Sequence, residues 1–428
     1  MKKRNRIYLI SFLVILLLII LAIVSVLKSG NPYIHKVDTV RAFKNLDIEM
    51  LDSSKLVRAI HMSGEYIVNS IKEDGQFVYK INMDTGADVN ERYNSLRHAG
   101  AIYSLCMYYE FNPDQKVLKA ANKASGFIRQ KLLAPIPKHP EMIGVWSLPE
   151  INNDNDPPLV KLGGNGLGLV ALAYLEKLDP GSTGIPTLRK MGEFILFMQK
   201  ENGGFYSKYF PGPRGRDDSW TSLYYPGEAA LGLMMLYEID PDEKWLEGAA
   251  MALKYLAKLR EGETKTEADH WALIATRKLM QHYRELNLEI PAELLIDHGI
   301  QICKSMILQM AQFPKHSPYY GCMTSDGRVT PTATRMEGLL SFVSLVPENR
   351  KSLIYSILLV TNKGIGFLEQ AQVKQGPYKG GVTREYYKPG LDPQKYLVDA
   401  DERRNTEIRI DYVQHALSAW IDYYRLVY

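Results

Sequence analysis

Cysteine is scarce in this sequence, with 3 residues in a chain of 428. Cys106, Cys303 and Cys322 are too few for a disulfide framework, and their positions leave open whether Cys303 pairs with Cys322. The sequence has no CxxC motif and no Cys/His spacing typical of a zinc site. We therefore assign no metal ligands, and we keep a site built on three histidines only as a minor alternative.

An excess of charge is also missing from most of the chain. The formal net charge is +4 at pH 7, but Lys2, Lys3, Arg4, Arg6 and Lys28 place five positive charges in the first 28 residues, so the remainder carries about −1. A nearly neutral domain lacks the basic surface that binds nucleic acid. We expect no nucleic-acid partner.

Alternation of polar and apolar residues, the pattern of a half-buried strand, is rare. The longest stretch compatible with a strand is QFVYKI near Phe77. Past residue 50, apolar residues instead recur with helical spacing between loops rich in Gly, Pro, Asn and Asp. The sequence therefore predicts an all-α fold class.

One long apolar run lies near the N-terminus, where residues 7–27 contain no charged residue. A helix of this length spans roughly 30 Å, the thickness of a membrane hydrocarbon core. The preceding MKKRNR predicts a cytoplasmic N-terminus, and the length of the run favours a retained anchor over a cleaved signal peptide. We predict a cytoplasmic tail at 1–6, a transmembrane anchor at 7–27, a linker at 28–50 and an extracytoplasmic domain at 51–428. Cytosolic cofactors such as ATP or NAD are then not expected, and we assign no cofactor.

Six segments of the predicted domain share one layout, in which a polar residue near the start of an apolar helix is followed by a small residue. The polar residues are His98, Asn165, Glu228, His270, Glu337 and His415. The next residue is Gly or Ala in five of the six segments. Gly inside a helix disfavours an isolated helix, so this pattern indicates that these helices pack closely together in an inner ring.

Longer helices with a charged face alternate with these segments. Their predicted ranges are 54–73, 115–133, 186–200, 242–260, 291–313 and 349–371. A charged face indicates an outer position against water. Six outer–inner pairs predict an (α/α)6 toroid, and the alternative is an irregular helical solenoid whose repeats do not close.

This layout resembles the six-hairpin and related (α/α)-toroid proteins, a superfamily of glycoside hydrolases, polysaccharide lyases, epimerases and some cyclases. The resemblance covers about residues 50–428 and depends on the repeat pattern, without a motif diagnostic of one family. It implies that the inner helices start at the same end and line a funnel there. A shared fold does not by itself assign an activity.

Acid–base candidates come from the starts of the inner helices. Glu228, Asp269 and Glu337 would lie on three successive inner helices, so two of them could flank a glycosidic bond. His270 is the fourth catalytic candidate. The alternatives are structural: a first-turn glutamate can complement the helix dipole, and Asp269 with His270 can cap a helix.

Substrate-binding candidates are the residues expected at the same end of the funnel. They are Tyr93, Arg97, His98, Asn165, Trp220, Tyr224, Tyr225, Arg335, Arg409 and His415. Aromatic rings suit sugar binding, and arginines suit acidic groups. His415 could equally be a hydrogen-bonded core histidine. The glycine-rich run at 163–168 indicates a close helix–helix contact, because no strand precedes it as in a dinucleotide site.

Three classes of function fit these observations. The first is a membrane-anchored extracytoplasmic glycoside hydrolase acting on an envelope or extracellular polysaccharide. The second is a polysaccharide lyase or uronyl C5-epimerase, which needs a base such as His or Tyr and cations for the substrate carboxylate. Membrane-anchored glucuronyl C5-epimerases resemble this chain in having one N-terminal span before a helical toroid. The third is a non-catalytic glycan-binding or polysaccharide-assembly protein. The expected partners are the membrane and a polysaccharide or oligosaccharide.

Overall fold

The computed structural model describes residues 31–87, 92–153, 155–388, 390, 395, 397 and 405–428, and most of these residues are helical. The predicted tail at 1–6 and the predicted membrane span at 7–27 lie outside the described residues. No helix within the described ranges has the length and apolarity needed to cross a membrane.

Helices account for most of the described elements. In chain order they are α1 (Thr39–Leu46), α2 (Ser53–Asn69), α3 (Ser95–Phe111), α4 (Gln115–Phe127), α5 (Pro149–Asn152), α6 (Leu162–Leu178), α7 (Ile185–Met198), α8 (Tyr225–Tyr237), α9 (Glu243–Leu259), α10 (His270–Gln281), α11 (Ala292–Leu308), α12 (Val329–Phe342), α13 (Lys351–Ala371) and α14 (Ile410–Val427). A π-helical turn, Ile128–Leu132, extends α4.

Six of these helices form a closed inner ring. Each of α3, α6, α8, α10 and α12 packs against the next inner helix in the chain, and α14 packs against both α12 and α3. The last contact closes the ring, so the predicted (α/α)6 toroid is confirmed and an open solenoid is excluded. Helices α2, α4, α7, α9, α11 and α13 lie outside, close to the six ranges predicted for them.

Small residues explain how closely α6 and α8 approach. A β-carbon at Gly166 would lie 2.8 Å from the backbone nitrogen of Ala229, a distance that real β-carbons do not reach. A β-carbon at Gly163 would collide with the Glu228 carboxylate and the Tyr225 ring. The glycine-rich run therefore makes the close helix–helix contact expected of it.

Side-chain caps fix where several helices begin. Asp52 accepts hydrogen bonds from the first turn of α2, and Asn94, Asp242 and Asp269 do the same for α3, α9 and α10. Such caps satisfy backbone N–H groups that have no partner inside the helix. Of the inner helices, α3 and α10 have such a cap, and α6, α8, α12 and α14 begin without one.

Strands are more extensive than the sequence indicates. A five-stranded antiparallel sheet has β2 (Leu133–Ile136), β3 (His139–Ser147), β4 (Leu159–Lys161), β5 (Lys208–Phe210) and β6 (Gly215–Asp217) in that order, after β1 (Lys80–Asn82) in the chain. A second sheet pairs β1 with β7 (Glu407–Arg409). The stretch near Phe77 contributes only an isolated bridge and the start of β1. β3 escapes prediction because its outer half, with Pro140 and Glu141, does not alternate in polarity.

The segment expected to be a linker is partly folded. Within it, residues 39–46 form α1, which packs against α13. The Asn31 side chain donates to the carbonyl of Met280 over 2.6 Å, and the His35 backbone donates to the carbonyl of Ser344. Both acceptors lie at or near the C-terminal ends of inner helices.

Candidate active site

The N-terminal ends of the inner helices surround a cavity of about 450 Å³. Seven residues predicted as catalytic or substrate-binding line it: Arg97, Tyr224, Glu228, His270, Arg335, Arg409 and His415. Nine further residues of the lining are polar or aromatic: Asn94, Trp271, Arg328, Thr330, Thr334, Arg384, Asp411, Tyr412 and Gln414. The predicted convergence of polar residues at one end of the toroid therefore occurs. We call this space the near cavity.

Two histidines meet at the wall of the near cavity. The ring centroids of His270, the first residue of α10, and His415, in the second turn of α14, are 5.6 Å apart at an interplanar angle of 76°. His415 Nδ1 donates to Glu337 Oε2 over 2.7 Å. That bond leaves His415 Nε2 as the nitrogen that can meet a ligand.

Glu337 and His415 form a buried hydrogen-bonded pair. Burial raises the pKa of Glu337, and although burial opposes it, the adjacent carboxylate raises the pKa of His415. Glu337 does not line the cavity, because α12 begins at Val329 and Glu337 lies in its third turn, beneath the histidines. Its carboxylate acts on the cavity through His415.

His270, in contrast to His415, has a lowered pKa and is neutral. Burial, together with the nearby His415 and Arg335, lowers the pKa of His270 well below its usual range. Neither of its ring nitrogens has a hydrogen-bond partner among the described residues. The helix α12 approaches closely at this point, since a β-carbon at Gly338 would lie 3.0 Å from the His270 β-carbon. His270 is therefore a neutral imidazole with free nitrogen atoms, fixed in position by packing.

Glu228 lies in the first turn of α8, facing Gly163 of α6. Its side chain is buried, and Oε2 has no hydrogen-bond partner within the described structure. Burial, and secondarily the charge of Asp269, raises the pKa of Glu228 to about 8. At neutral pH Glu228 is a protonated carboxylic acid that can donate a hydrogen bond into the cavity.

An arginine pair holds an ionised aspartate at the mouth of the cavity. Asp411 accepts from Arg97 Nε over 3.0 Å, and from Arg409 Nε over 2.5 Å and Nη2 over 2.9 Å. Although burial opposes it, these two guanidinium groups lower the pKa of Asp411 to about 2. β7 places Arg409 opposite Lys80 of β1, directly before α14 begins.

Three other arginines line the cavity. Arg328 pairs with Asp326, and Arg384 Nη1 lies 2.5 Å from Glu385 Oε1. Arg335 donates from Nη1 to the carbonyl of Pro331 over 2.9 Å. Its buried Nε has no partner, and no carboxylate of the described residues forms an ion pair with it. Burial lowers the pKa of Arg335.

Asp269 does not face the cavity, despite its proposed catalytic role. Its Oδ1 accepts from the backbone of Ala272, and its Oδ2 accepts from Arg260 Nη2 over 2.8 Å. The side chain is fully buried. The structure therefore gives Asp269 the helix-capping position that was the alternative prediction.

His98 and Tyr93 lie behind the cavity wall. His98 Nε2 donates to the carbonyl of Ala124, and the Tyr93 hydroxyl donates to His98 Nδ1 over 2.6 Å while accepting from the Phe77 backbone. Burial lowers the pKa of His98 to about 4. Both side chains have their hydrogen bonds satisfied by the protein and are turned toward the outer helix α4.

Asn165, Tyr225 and Trp220 also lie outside the lining. Asn165 bridges the backbone of Val145 in β3 and Met191 in α7. Tyr225 is buried against Gly163, and its ring meets Trp220, which is half exposed at the surface. Trp271 is instead the tryptophan of the cavity, with its ring centroid 4.7 Å from that of His270.

The His270–Glu337–His415 cluster contains ligand types suited to a divalent metal. Its donor atoms all lie within 4.8 Å of one another. Two ligands at 2.0–2.1 Å from a tetrahedral zinc are separated by about 3.3 Å. The 2.7 Å between His415 Nδ1 and Glu337 Oε2 is instead a hydrogen-bond length. In this structure His415 and Glu337 are therefore hydrogen-bonded to each other and are too close together to be two ligands of one tetrahedral zinc.

No protein-family model matches the chain, and no curated protein matches it by sequence. Solved structures match its fold. A cellobiose 2-epimerase from Spirochaeta thermophila DSM 6192 is 13% identical with a TM-score of 0.58, over 88% of this chain and 96% of that one. The alpha-1,6-mannanase GH76A of Salegentibacter sp. HEL1_6 is 12% identical with a TM-score of 0.57, over 87% and 99%. A D-mannose isomerase is 12% identical with a TM-score of 0.57, over 87% and 97%.

The chain has an (α/α)6 toroid fold. These similarities extend over nearly the whole length of each neighbour and confirm that architecture. At such low identity they establish the fold alone, because proteins of one fold carry different activities. The chemistry of the toroid has to be argued from its own side chains.

Proposed function

We propose that this protein is a carbohydrate epimerase or isomerase that moves a proton at a carbon next to a carbonyl or carboxyl group. The observation that carries the proposal is the pair of cavity-facing histidines, one neutral and one bound to a buried carboxylate. Proton transfer from carbon needs a base with a free nitrogen and an acid to return the proton. His270 and His415 supply these two types of group.

In the proposed reaction His270 takes a proton from the substrate carbon, and the electrons of the C–H bond move onto the neighbouring oxygen. The resulting enediolate is stabilised by hydrogen-bond donors of the cavity. Glu228, protonated at neutral pH, is one such donor, and Arg97 provides positive charge. His415 starts as an imidazolium with one proton on Nδ1, bonded to the Glu337 carboxylate, and a second on Nε2. It gives the Nε2 proton to the same carbon from the other face, or to the adjacent carbon, and becomes a neutral imidazole.

The names of the structural neighbours are compatible with this chemistry. Those with this overall fold include a cellobiose 2-epimerase, a sugar epimerase from a ruminal bacterium and a D-mannose isomerase. These names describe other proteins at very low identity, so they support the class of substrate only. The histidine geometry carries the assignment.

Glycoside hydrolysis, the leading sequence-based hypothesis, is the second candidate function. Glu228 favours it, since a protonated carboxyl group could serve as a general acid. The proposed partners, Asp269 and Glu337, are buried in an ion pair and a hydrogen bond away from the cavity. Asp411 lines the cavity, but both of its oxygens are bound by arginines. A free second carboxylate is therefore missing from the described lining.

The mannanase neighbour offers a further contrast. A variant of it with two neighbouring aspartates changed to asparagine is described as inactive. The adjacent aspartates of the present sequence are Asp217 and Asp218. Asp217 pairs with Arg214 and Asp218 with Lys200, and neither lines the near cavity. The position of Asp217 and Asp218 supports our preference for proton transfer over hydrolysis.

Solvent isotope exchange separates these functions. The protein would be incubated in D2O with reducing disaccharides, hexoses and hexuronates, and proton NMR would follow loss of the signals at C2 and C5. We expect exchange with at least one sugar, with loss of exchange in His270→Gln. Release of reducing ends without deuterium incorporation would instead indicate hydrolysis. Tight binding without either signal would favour a non-catalytic glycan-binding protein. Loss of exchange after EDTA treatment would move the assignment to a metal centre.

We also propose that the toroid is held on the outer side of the cytoplasmic membrane by residues 7–27. The charge-free run after MKKRNR supports this location. Asn31 and His35 bind at the C-terminal ends of the inner helices, so an anchor preceding them would leave from the end opposite the near cavity. Protease added to cells with a permeabilised outer envelope should digest the domain. Complete protection would contradict the location and leave the proposed chemistry untouched.

A further inference from the structure

The near cavity carries more positive than negative charge among the described residues. Arg97 and Arg409 share the single carboxylate of Asp411, so that group has one net positive charge. Arg335 adds a second, because no carboxylate of the described residues pairs with it. His415 and Glu337 balance one another, and Glu228 is neutral at pH 7. An uncharged sugar would leave this excess unmatched.

Arg335 is a guanidinium group of the near cavity with a buried nitrogen that has no partner among the described residues. Its Nη1 is occupied by the Pro331 carbonyl, while Nε, buried in the wall, has no partner. The Nε–Nη2 edge of an arginine is one of the two edges that bind a carboxylate through two parallel hydrogen bonds. Leaving a buried charged donor unpaired is costly, so its presence needs an explanation beyond packing.

We propose that Arg335 binds the carboxylate of an acidic sugar, so that the substrate of the near cavity is a hexuronate or a glycan unit derived from one. This inference rests on the proposed function and narrows it to uronate substrates. A carboxylate held by Arg335 would bring the carbon next to it toward His270. Neutralising the carboxylate also reduces the negative charge that builds up on it when that carbon loses its proton.

The relation between Arg335 and His270 supports this placement. Arg335 is one of the charges that act on His270, after burial and His415. Tyr224 lines the cavity beside them, with its ring centroid 5.3 Å from that of His270. The unpaired guanidinium and the unpaired imidazole therefore belong to one part of the cavity.

Calorimetric binding of matched ligands tests the inference without relying on turnover. The probes would be D-glucuronate, D-galacturonate and D-mannuronate, each against its methyl ester, with glucose 6-sulfate as a different anion. We expect at least one hexuronate to bind at least about tenfold more tightly than its ester, as expected for a charge-assisted bond. Arg335→Gln should remove that preference while leaving ester binding unchanged.

Arg277→Gln is the matched control. Arg277 lies on an inner helix, is partly buried, lacks a carboxylate partner among the described residues and donates to Ser344, but it lines the opposite end of the toroid. The control should keep the uronate preference of the wild type. If Arg335→Gln does not fold, Arg335→Lys should retain positive charge and only part of the preference, since lysine lacks the bidentate edge.

Equal affinity for every hexuronate and its ester in the wild type would overturn the inference, as would an unchanged preference in folded Arg335→Gln. Tighter binding of glucose 6-sulfate than of any hexuronate would overturn the carboxylate assignment. Isotope exchange into neutral sugars without a uronate preference would refute the Arg335 site but not the proposed function. A uronate preference without exchange into any sugar would support the Arg335 site and refute the proposed chemistry.

Discussion

The two ends of the toroid can be compared directly, because each contains a cavity of about 450 Å³. The near cavity lies at the N-terminal ends of the inner helices. The other, which we call the far cavity, lies at their C-terminal ends and is lined by Tyr103, Arg277, Lys278, Asp422 and neighbouring residues. The Tyr103 ring is 6.2 Å from Trp271, which lines the near cavity, so aromatic packing separates the two spaces.

The polar groups of the two cavities differ in how far the protein satisfies them. In the far cavity, Lys177 and Lys278 both pair with Glu238, and Arg425 pairs with Glu110. Arg277 keeps a nitrogen without a partner among the described residues, and burial raises the pKa of Asp422 to about 7. In the near cavity, His270, Glu228 and Arg335 all have unpaired atoms.

The volumes do not distinguish the two cavities, whereas the number of unpaired polar atoms in their described linings does. Buried polar atoms are almost always paired, so a concentration of unpaired ones indicates a ligand. The positive side chains of the far cavity have a simpler role, since cations complement the C-terminal ends of helices. Four changes would break or sharpen the comparison.

The largest effect should come from His270→Gln, with His282→Gln as its control. The two histidines lie at opposite ends of α10, and His282 bonds with Glu285 outside the near cavity. Loss of the proposed base should reduce isotope exchange by about 10²–10⁴-fold. Proton NMR in D2O measures the exchange rate. An equal loss of exchange in His270→Gln and His282→Gln would contradict the assignment of the reaction to the near cavity.

The next effect concerns the pH dependence of stability. Burial raises the pKa of Glu228 from 4.5 to about 8, so the folded state keeps a proton that the unfolded chain releases between these values. Its contribution to stability is fully present below the lower value and is lost as the pH rises through the higher one. By linkage the loss amounts to at most about 5 kcal/mol.

Glu228→Gln should therefore flatten the decline of stability with pH. Denaturant unfolding of both proteins at a series of pH values would measure this, and the variant should become the more stable one above pH 8. Parallel pH profiles for the two proteins would mean that Glu228 is ionised and hydrated, which is incompatible with a proton donor in the cavity.

Asp269→Ala should lower stability by about 3–5 kcal/mol, because it leaves Arg260 buried without its carboxylate. Asp242→Ala is the control, since Asp242 caps α9 in the same way but is exposed; it should cost about 0.5–2 kcal/mol. Urea unfolding compares them. Equal small losses would restore Asp269 as a candidate for chemistry rather than structure.

The smallest effect should follow from Lys278→Gln in the far cavity. Its ion pair with Glu238 is partly exposed, and Lys177 would remain as a partner for that carboxylate. We expect a loss of at most about 1 kcal/mol and no change in isotope exchange. A marked loss of exchange in a stably folded variant would connect the far cavity to the reaction.

The sequence predicts the toroid well because its signals are local. Small residues after a polar one mark helices that approach closely. Gly166 is an example, because a β-carbon there would collide with the backbone of α8. The charged faces predict the outer helices, and most of their observed ends lie within a few residues of the predicted ones. This reasoning misses the five-stranded sheet β2–β6 and the helix α1 in the predicted linker.

The site is predicted less completely, since a shared position along a helix does not fix rotation about its axis. His98, Asn165 and Glu228 are each the fourth residue of an inner helix, yet only Glu228 lines the cavity. Glu337 lies in the third turn because α12 starts earlier than its apolar pattern indicates. Arg328 and Arg384 come from loops, whose path depends on tertiary contacts that local sequence does not encode.

Helix α14 closes the ring against α3 and also carries Asp411 and His415. Helix α14 is synthesised after the other five inner helices. Until then Arg97 lacks its ion-pair partner Asp411, and His270 lacks the adjacent His415. Contacts between residues close in sequence cannot form this site, because the ion pair between Arg97 and Asp411 joins residues 314 positions apart. A chain that ends before residue 410 therefore lacks both the helix that closes the ring and two side chains of the near cavity, Asp411 and His415.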